Sequence, residues 1–243
     1  MKTVSFLIAA YNEEKNIQDT IENILTLKNK FSNIEFEIIV INDGSLDKTG
    51  EIVVGNYSQN NLVIYHENKK NIGLGESIKK GIDLARFERF IFIPGDNDMP
   101  QSILISLLQS MDDADIIMTY FMNDEIRGRH RHIISSIFSL TYLYTFNIFL
   151  KYINGPAIYP TKRLKELTLE SKRFSIVAEI NVRLLKQGCS FKEIPSLRLR
   201  DTAESTALNF KSLIEVIRVY IHLVIDVYIL NRSKYSNHIK RKF

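Results

Sequence analysis

Short runs of apolar and β-branched residues alternate, through the first half of the chain, with segments whose apolar residues have helical spacing. Five runs predict strands, and they lie at residues 3–11, 35–43, 61–67, 89–96 and 114–120. Between the first two runs, Ile17, Ile21 and Ile24 recur on one face of a helix. Strands that alternate with helices in this way are typical of an α/β protein, so we predict a mainly parallel sheet flanked by helices.

Polar residues follow three of the predicted strands at the points where the strands end. They are Tyr11, Asn12 and Glu13 after the first strand, Asp43 and Gly44 after the second, and Asp96 and Asp98 after the run at 89–96. Each group by itself has an ordinary explanation as a helix cap or a turn. Because the carboxyl ends of parallel strands share one edge of the sheet, we expect these groups to converge there. Carboxylates crowded together repel one another, so a cation is expected among them.

Asp96 and Asp98 stand one residue apart in the stretch PGDNDMP. Carboxylates at this spacing offer hard oxygen ligands to Mg²⁺ or Mn²⁺, which accept them together with the phosphates of a substrate. A D-x-D triplet also occurs by chance in solvated loops, but its position directly after an apolar strand favours a metal site. We therefore predict that Asp96 and Asp98 are metal ligands.

A second turn, NIGLGESIKKG, has Gly73 and Gly75 at the G-x-G spacing of dinucleotide-binding proteins. The match ends at Ile78, which stands where close helix packing requires a third glycine, and the segment does not follow the first strand. A nicotinamide-binding fold is therefore not indicated. We predict that Gly73 and Gly75 form a turn that begins a helix and brings the backbone close to a ligand or to another strand.

Composition indicates one compact domain followed by a short tail. The 243 residues are 45% hydrophobic and 25% charged, and no long run rich in glycine, serine or proline marks a linker. We predict a domain at residues 1–205 and a separate segment at 206–243. Cys189 is the only cysteine, which excludes an internal disulfide and a cysteine-based zinc site. The first residues have the pattern of a strand and not of a secretory signal, so we expect a cytoplasmic protein.

The end of the chain combines an apolar helix with basic residues. Residues 208–230 have helical spacing, and their polar residues share one narrow stripe, namely Lys211, Glu215, Arg218, His222 and Asp226. An amphipathic helix beside a basic tail suits the surface of an anionic membrane, which is our first expectation; packing on the domain or on another subunit is the alternative. Residues 133–150 carry no formal charge, but their serines and threonines favour a buried or interfacial helix over a membrane span.

Four stretches resemble the inverting glycosyltransferases of family 2, which have the Rossmann-like GT-A fold. AAYNEE is similar to the family's P-x-Y-N-E, with Ala9 in place of proline, and NDGS is similar to its acidic D-G-S. NIGLGESIKKGI is similar to N-x-G-x-x-x-A-x-x-x-G, with Ser77 in place of alanine, and PGDNDMP resembles the metal motif. The resemblance covers roughly residues 3–205 and implies a nucleotide-sugar glycosyltransferase that depends on Mg²⁺ or Mn²⁺.

The same resemblance implies which residues bind the donor, a nucleoside diphosphate sugar. Those residues are Ala10, Tyr11, Asn12, Glu13, Asp43, Gly44, Gly73 and Asp96. Asp96 and Asp98 are implied to hold the diphosphate through the metal. In the polyprenyl-phosphate branch the motif is D-x-D-x-Q before a proline, so the pair aligns either with the two family aspartates or with the second aspartate and the glutamine. The second alignment removes one acid from the metal site.

Acceptor-binding residues are implied by a resemblance to dolichyl-phosphate mannose synthases and their bacterial relatives. Arg127, Arg131 and Ser135 are spaced as one helical stripe and resemble the R-x-x-x-S element that grips the lipid phosphate in those enzymes. The alternative is that the arginines neutralise nearby acids. Glu179 falls where the family carries an acid near the acceptor, and its alternative is a helix-surface acid paired with Arg183.

We therefore expect transfer of a sugar from a nucleoside diphosphate sugar to a polyprenyl phosphate, with inversion. Asp96, Asp98, Arg131 and Glu179 are the candidate catalytic residues. A phosphate acceptor needs no strong base, whereas a sugar hydroxyl would make Glu179 the base. The alternatives are a glycosyltransferase that acts on a glycan hydroxyl in surface polysaccharide synthesis, and a non-catalytic, membrane-associated scaffold. Nucleic-acid binding is not expected, because the basic tail is the only feature of the sequence that favours it. A homo-oligomer is left open.

Overall fold

The computed structural model describes residues 1–123, 129–197 and 210–242, and of residues 129–132 and 210–212 it describes the backbone alone. The contacts divide the chain into two compact units. The first unit consists of residues 1–105 with 158–165, and the second consists of 106–157 with the residues from 166 onward. The boundary predicted between residues 205 and 206 lies outside the described residues, so that division stays a prediction.

The described residues form eight strands. They are β1 (Lys2–Ala10), β2 (Ile34–Asn42), β3 (Val63–Glu67), β4 (Arg89–Pro94), β5 (Ile116–Phe121), β6 (Ala157–Pro160), β7 (Ser190–Ser196) and β8 (Lys240–Arg241). The five runs predicted to be strands are confirmed as β1 to β5, with ends that differ by one or two residues. Apolar runs bounded by polar residues are therefore sufficient to locate these strands.

Helices separate the strands along the chain. They are α1 (Ile17–Leu25), α2 (Leu27–Lys30), α3 (Thr49–Tyr57), α4 (Leu74–Leu84), α5 (Gln101–Gln109), α6 (Arg129–Phe146), α7 (Thr161–Lys165), α8 (Ile176–Lys186) and α9 (Phe210–Ile225). A π-helical turn, Asp226–Leu230, extends α9. The helices predicted around Ile17 and near the end of the chain are confirmed as α1 and α9.

In the first unit the strand order is β3-β2-β1-β4-β6. β1 is parallel to β2 and β4, β2 is parallel to β3, and β6 is antiparallel to β4. The register sets Ala10 beside Asn42 and Ala9 beside Pro94. The residues that follow β1, β2 and β4 therefore lie at one edge of the sheet, which confirms that prediction.

The core of the first unit is built around β1 and β2, whose side chains are buried almost throughout. Strands covered on both faces do not alternate between apolar and polar residues, which explains why both are continuous apolar runs. α4 packs on β1 at Gly81, where an added Cβ would lie 2.4 Å from a Leu7 methyl group. The predicted mainly parallel α/β fold is confirmed.

In the second unit β5 is parallel to β7, and β7 is parallel to β8. α6 and α9 pack through aromatic rings: Tyr142 lies 5.4 Å from Tyr220, and Phe146 stacks 6.0 Å from Tyr228, between ring centroids. α6 ends at Phe146, and the next residue, Asn147, adopts a left-handed conformation (φ 52°). Among the described helices, none has the length and apolar content needed to cross a membrane.

Candidate active site

Asn12 joins the end of β1 to the loop after β2. Its backbone N–H donates to the Ser45 hydroxyl at 2.9 Å, and its side-chain carbonyl accepts from the Leu46 N–H at 2.8 Å. Asn12 has a positive φ of 58°, which asparagine tolerates better than most residues. These bonds fix the two loops against each other, so in this structure Asn12 positions the edge of the sheet.

Asp47 and Thr49 complete this junction, and the sequence pattern did not single them out. The Glu13 N–H donates to the Thr49 hydroxyl oxygen at 2.8 Å, and the Glu14 N–H donates to Asp47 Oδ2 at 3.0 Å. Burial opposes ionisation of Asp47, but the bonds from Thr49 and Glu14 outweigh it and lower the pKa of this carboxyl group. A D-x-T turn before a helix was the available signal.

Four carboxylates converge at this edge of the first unit. Burial raises the pKa of Glu13, and the negative charges of Asp96, Asp47 and Asp98 raise it further, although a hydrogen bond from Asn16 opposes them. Asp96 and Asp98 are half-buried on the turn that follows β4, where the Asp98 N–H donates to Asp96 Oδ1 at 3.2 Å. The expected crowding of acids from different strands is therefore present.

The donor set at Asp96 and Asp98 fits Mg²⁺ or Mn²⁺. Within the described ranges, no three His, Cys, Asp or Glu side chains come close enough to form a metal site from protein ligands alone. Mg²⁺ is usually held by one or two carboxylates, with substrate phosphates and water in the remaining positions. Two hard oxygen donors near Glu13, whose pKa is raised by burial and by the neighbouring carboxylates, therefore suit an ion that arrives with a diphosphate.

Asp43 holds the turn that begins α4. Its Oδ1 accepts from the Ile72 N–H at 3.0 Å and its Oδ2 accepts from the Gly73 N–H at 2.9 Å. Gly73 has φ 99° and ψ 154°, a conformation that is open essentially to glycine alone. Gly44, with φ 69°, lets the backbone of Lys70 approach, since an added Cβ would lie 2.5 Å from the Lys70 carbonyl carbon. The helix predicted to begin at Gly73 and Gly75 is confirmed as α4, and the backbone of Gly73 approaches the side chain of Asp43, which follows β2.

Asn68 is a further member of this site that the sequence pattern did not identify. It is buried, its side-chain N–H donates to Asp43 Oδ1 at 2.9 Å, and its side-chain carbonyl accepts from Lys80 Nζ at 2.9 Å. Its backbone N–H donates to the Asn42 carbonyl at 2.8 Å. Asn68 therefore links β3, α4 and the carboxylate that fixes the Gly73 turn.

Two residues of the predicted donor site lie at the end of β1. Ala10 is buried, and its carbonyl accepts from the Asp43 N–H at 2.8 Å. Tyr11 is exposed, with 42% of its surface accessible, so its ring is available to a ligand at the rim. Their roles in donor binding stay predictions.

Glu179 does not lie on the surface of a helix, which was the alternative considered for it. The side chain is fully buried in the second unit, so the helix-surface interpretation is wrong, whereas its pairing with Arg183 is confirmed at 3.0 Å. Both carboxylate oxygens accept from the Glu170 N–H, and Oε2 also accepts from the Ser171 N–H at 2.9 Å. In this structure Glu179 holds the segment before α8, and its role as a base stays a prediction.

Two of the predicted acceptor residues, Arg131 and Ser135, belong to α6. Arg127 lies outside the described residues, and of Arg131 only the helical backbone is described. Ser135 is half-buried one turn further along α6. The proposed phosphate-binding stripe therefore stays a prediction.

Comparisons with known proteins match the chain to a glycosyltransferase family and to individual relatives. A model of the family described as "Glycosyl transferase family 2" matches residues 5–167. A poly-β-1,6-N-acetyl-D-glucosamine synthase from Staphylococcus aureus is 29% identical over 129 residues, which are 53% of this chain and 30% of that protein. A dolichyl-phosphate β-glucosyltransferase from Trichomonas vaginalis is 27% identical over 148 residues, which are 56% of this chain and 45% of that protein. The chain therefore spans less than half of the length of these two relatives.

Two solved structures share the fold. A mannosyl-3-phosphoglycerate synthase from Rubrobacter xylanophilus gives a TM-score of 0.72 at 14% identity, over 95% of this chain and 75% of that one. A glucosyl-3-phosphoglycerate synthase from Mycobacterium tuberculosis, crystallised with Mn²⁺, uridine diphosphate and phosphoglyceric acid, gives 0.70 at 15% identity, over 92% and 78%. At these identities the likeness concerns the fold, and it agrees with the expected GT-A architecture.

Proposed function

Because the chain belongs to glycosyl transferase family 2, we propose that it transfers a sugar from a nucleoside diphosphate sugar to a polyprenyl phosphate, with inversion at the anomeric carbon. The observation that carries this proposal is the convergence of Glu13, Asp96 and Asp98 at the carboxyl edge of the first unit's sheet. Beside it lies the turn held by Asp43. A nucleotide bound at such an edge places its diphosphate near the acids.

Asp96 and Asp98 are the residues that would hold a divalent ion on the donor diphosphate. The solved relative with Mn²⁺ and uridine diphosphate supports this assignment. A bound ion would supply positive charge to the oxygens of the departing diphosphate, where negative charge grows in the transition state. The junction formed by Asn12, Asp47 and Thr49 holds the loops after β1 and β2 together, and the first of these loops carries Glu13.

The proposed transfer needs no reactant other than the donor and the acceptor. An acceptor phosphate oxygen forms a bond to the anomeric carbon from the face opposite the leaving group, and the bond from that carbon to the diphosphate oxygen breaks. The products are the glycosyl polyprenyl phosphate and the nucleoside diphosphate. The attacking oxygen is already anionic, so no general base is required.

Two observations favour a phosphate acceptor. Both oxygens of Glu179, the candidate base for a hydroxyl acceptor, are engaged by backbone N–H groups and by Arg183. The relative from Trichomonas vaginalis is named for transfer to dolichyl phosphate. Arg131 and Ser135 of α6 are the proposed ligands of the acceptor phosphate, together with Arg127.

A second candidate function is transfer to a sugar hydroxyl during polysaccharide synthesis. The relative from Staphylococcus aureus, named as a poly-β-1,6-N-acetyl-D-glucosamine synthase, favours this candidate. In that reaction Glu179 would have to leave Arg183 to take a proton, because a hydroxyl nucleophile needs a base.

A panel of donors and acceptors tests the proposal. The full chain is incubated with Mn²⁺, uridine or guanosine diphosphate sugars, and either a polyprenyl phosphate or an oligosaccharide, and release of nucleoside diphosphate is measured. We expect release to depend on the polyprenyl phosphate, and Glu179→Gln, if folded, to retain most of it. Release that depends on the oligosaccharide and is lost in Glu179→Gln would contradict the phosphate acceptor in favour of the second candidate.

A further inference from the structure

Glu215 and Asp226, the two acids of the polar stripe, bond to the second unit, whereas Arg218 and His222 of the same stripe are exposed. Glu215 Oε1 accepts from the backbone N–H groups of Lys172 and Arg173, at 2.8 and 3.1 Å, and from the Ser171 hydroxyl at 3.0 Å. At the far end of the helix, Asp226 pairs with the buried Arg183. The two acids of α9 and its π-helical turn are therefore both bound to the second unit.

α9 has two apolar faces, and only one of them is buried. Val219, Leu223 and Val227 form the buried face. The residues of the other face and of the turn after the helix are each between 38% and 70% exposed, namely Leu213, Ile214, Ile217, Ile221, Ile225, Tyr228, Ile229 and Leu230. A helix that packs only against its own domain, with its outer face in water, usually has polar residues on that outer face.

α6 repeats this arrangement beside α9. Its buried side contains Tyr142 and Phe146, which contact Tyr220 of α9 and Tyr228 of the turn after it, and the Thr145 hydroxyl lies 2.6 Å from the Tyr220 hydroxyl. Its opposite side exposes Ile133, Ile134, Ile137, Leu140 and Tyr144. Two adjoining helices therefore carry outward apolar stripes, which exceeds the scattered exposure that is normal for a soluble monomer.

Charge distinguishes between the partners that could cover these stripes. The sequence of α6 contains no acid, and residues 210–242 contain only the two acids that bond inward. Arg218 is an exposed residue of α9, and Arg232 and Lys234 are exposed in the residues that follow its π-helical turn. A second copy would bring like charges together, whereas anionic lipid headgroups would complement them around an apolar centre.

We propose that the outer faces of α6 and α9, with their basic border, form a docking surface for an anionic lipid bilayer, into whose headgroup region both helices lie flat. This inference rests on the proposed function in one respect: a protein bound to the bilayer would meet a lipid-linked acceptor there. The apolar stripes enter the boundary with the acyl chains, and Arg218, Arg232 and Lys234 contact lipid phosphates.

Vesicle flotation of the full chain tests the proposal. The protein is mixed with vesicles of phosphatidylcholine alone or of phosphatidylcholine with phosphatidylglycerol. We expect binding to the anionic vesicles to be at least about tenfold stronger, since several Lys and Arg side chains face the surface. Ile217→Asp with Ile221→Asp is expected to lower that binding by at least about tenfold, because two apolar anchors become charged.

A matched control makes the same change on the first unit. Val54→Asp with Leu84→Asp also replaces two exposed apolar residues by acids, and it is expected to bind vesicles as the unchanged protein does. Asp96→Asn with Asp98→Asn is expected to bind vesicles normally while losing metal-dependent donor binding, which separates this proposal from the proposed function. Equal binding by the Ile217/Ile221 variant and the control would overturn the proposal. So would an unchanged protein that ignores both vesicles, or a stable dimer that dissociates in the Ile217/Ile221 variant.

Discussion

Replacing Asp96 and Asp98 together by asparagine is expected to lower nucleoside diphosphate release by at least about 10²-fold, the range seen when one electrostatic contact to a transition state is removed. Asparagine keeps the shape of each side chain but removes the charge that holds a divalent ion. Both residues are half-buried on the turn after β4, so the fold of the first unit should be retained. Initial rates with saturating Mn²⁺ and donor, together with the melting temperature, measure the effect.

The control for this prediction is Asp112→Asn with Asp113→Asn. These two aspartates are also neighbours, but they are exposed and lie in the second unit. Their replacement should leave the rate within about twofold, because surface substitutions away from a site rarely matter. A double Asp96/Asp98 variant that turns over donor as fast as this control would show that the acids do not serve the reaction.

Replacing Arg183 by methionine is expected to lower the free energy of unfolding by about 3–5 kcal/mol, the usual cost of removing one partner from a buried ion pair. Arg183 is 3% exposed, and its guanidinium joins Glu179, Asp226 and the Tyr235 hydroxyl. Without it, Glu179 is left as a buried carboxylate that only backbone N–H groups stabilise. Urea unfolding followed by circular dichroism measures the change.

Two further variants distinguish charge from packing at Arg183. Arg218→Met removes an exposed arginine and should cost less than about 1 kcal/mol, as surface substitutions usually do. Glu179→Gln combined with Arg183→Met removes both charges and should restore part of the stability lost by Arg183→Met alone. An Arg183→Met protein as stable as Arg218→Met would mean that the buried network does not stabilise the second unit.

The strands and the edge of the sheet could be predicted because their signals are local. A run of apolar residues ends at Ala10, another ends before Asp43, and parallel pairing then brings the two ends together. Asp96 and Asp98 follow the same logic after β4. No knowledge of side-chain contacts was needed to place these groups at one edge.

Contacts between distant residues could not be predicted in the same way. Thr49 meets Glu13 and Asn68 meets Asp43 only because three strand ends adjoin, and neither pair has a spacing that a pattern detects. The helix-surface alternative for Glu179 was wrong because a four-residue spacing to Arg183 does not reveal whether the pair is buried.

The orientation of α9 was equally hidden from the sequence. A stripe of polar residues on an apolar helix shows that two kinds of face exist, but it does not show which of them the rest of the unit covers. In the structure, Glu215 and Asp226 bond inward, and one apolar face is left outside. Glu215 accepts there from the backbone N–H groups of Lys172 and Arg173, which a pattern of side chains does not reveal.

A crystal of the chain grown with Mn²⁺ and a nucleoside diphosphate gives the most direct test of the donor site. The anomalous signal of manganese should lie within bonding distance of a carboxylate oxygen of Asp96 or Asp98 and of a diphosphate oxygen, with the nucleoside beside the Asp43 turn. Manganese and nucleotide bound elsewhere, with both carboxylates directed away from them, would contradict the proposed donor site.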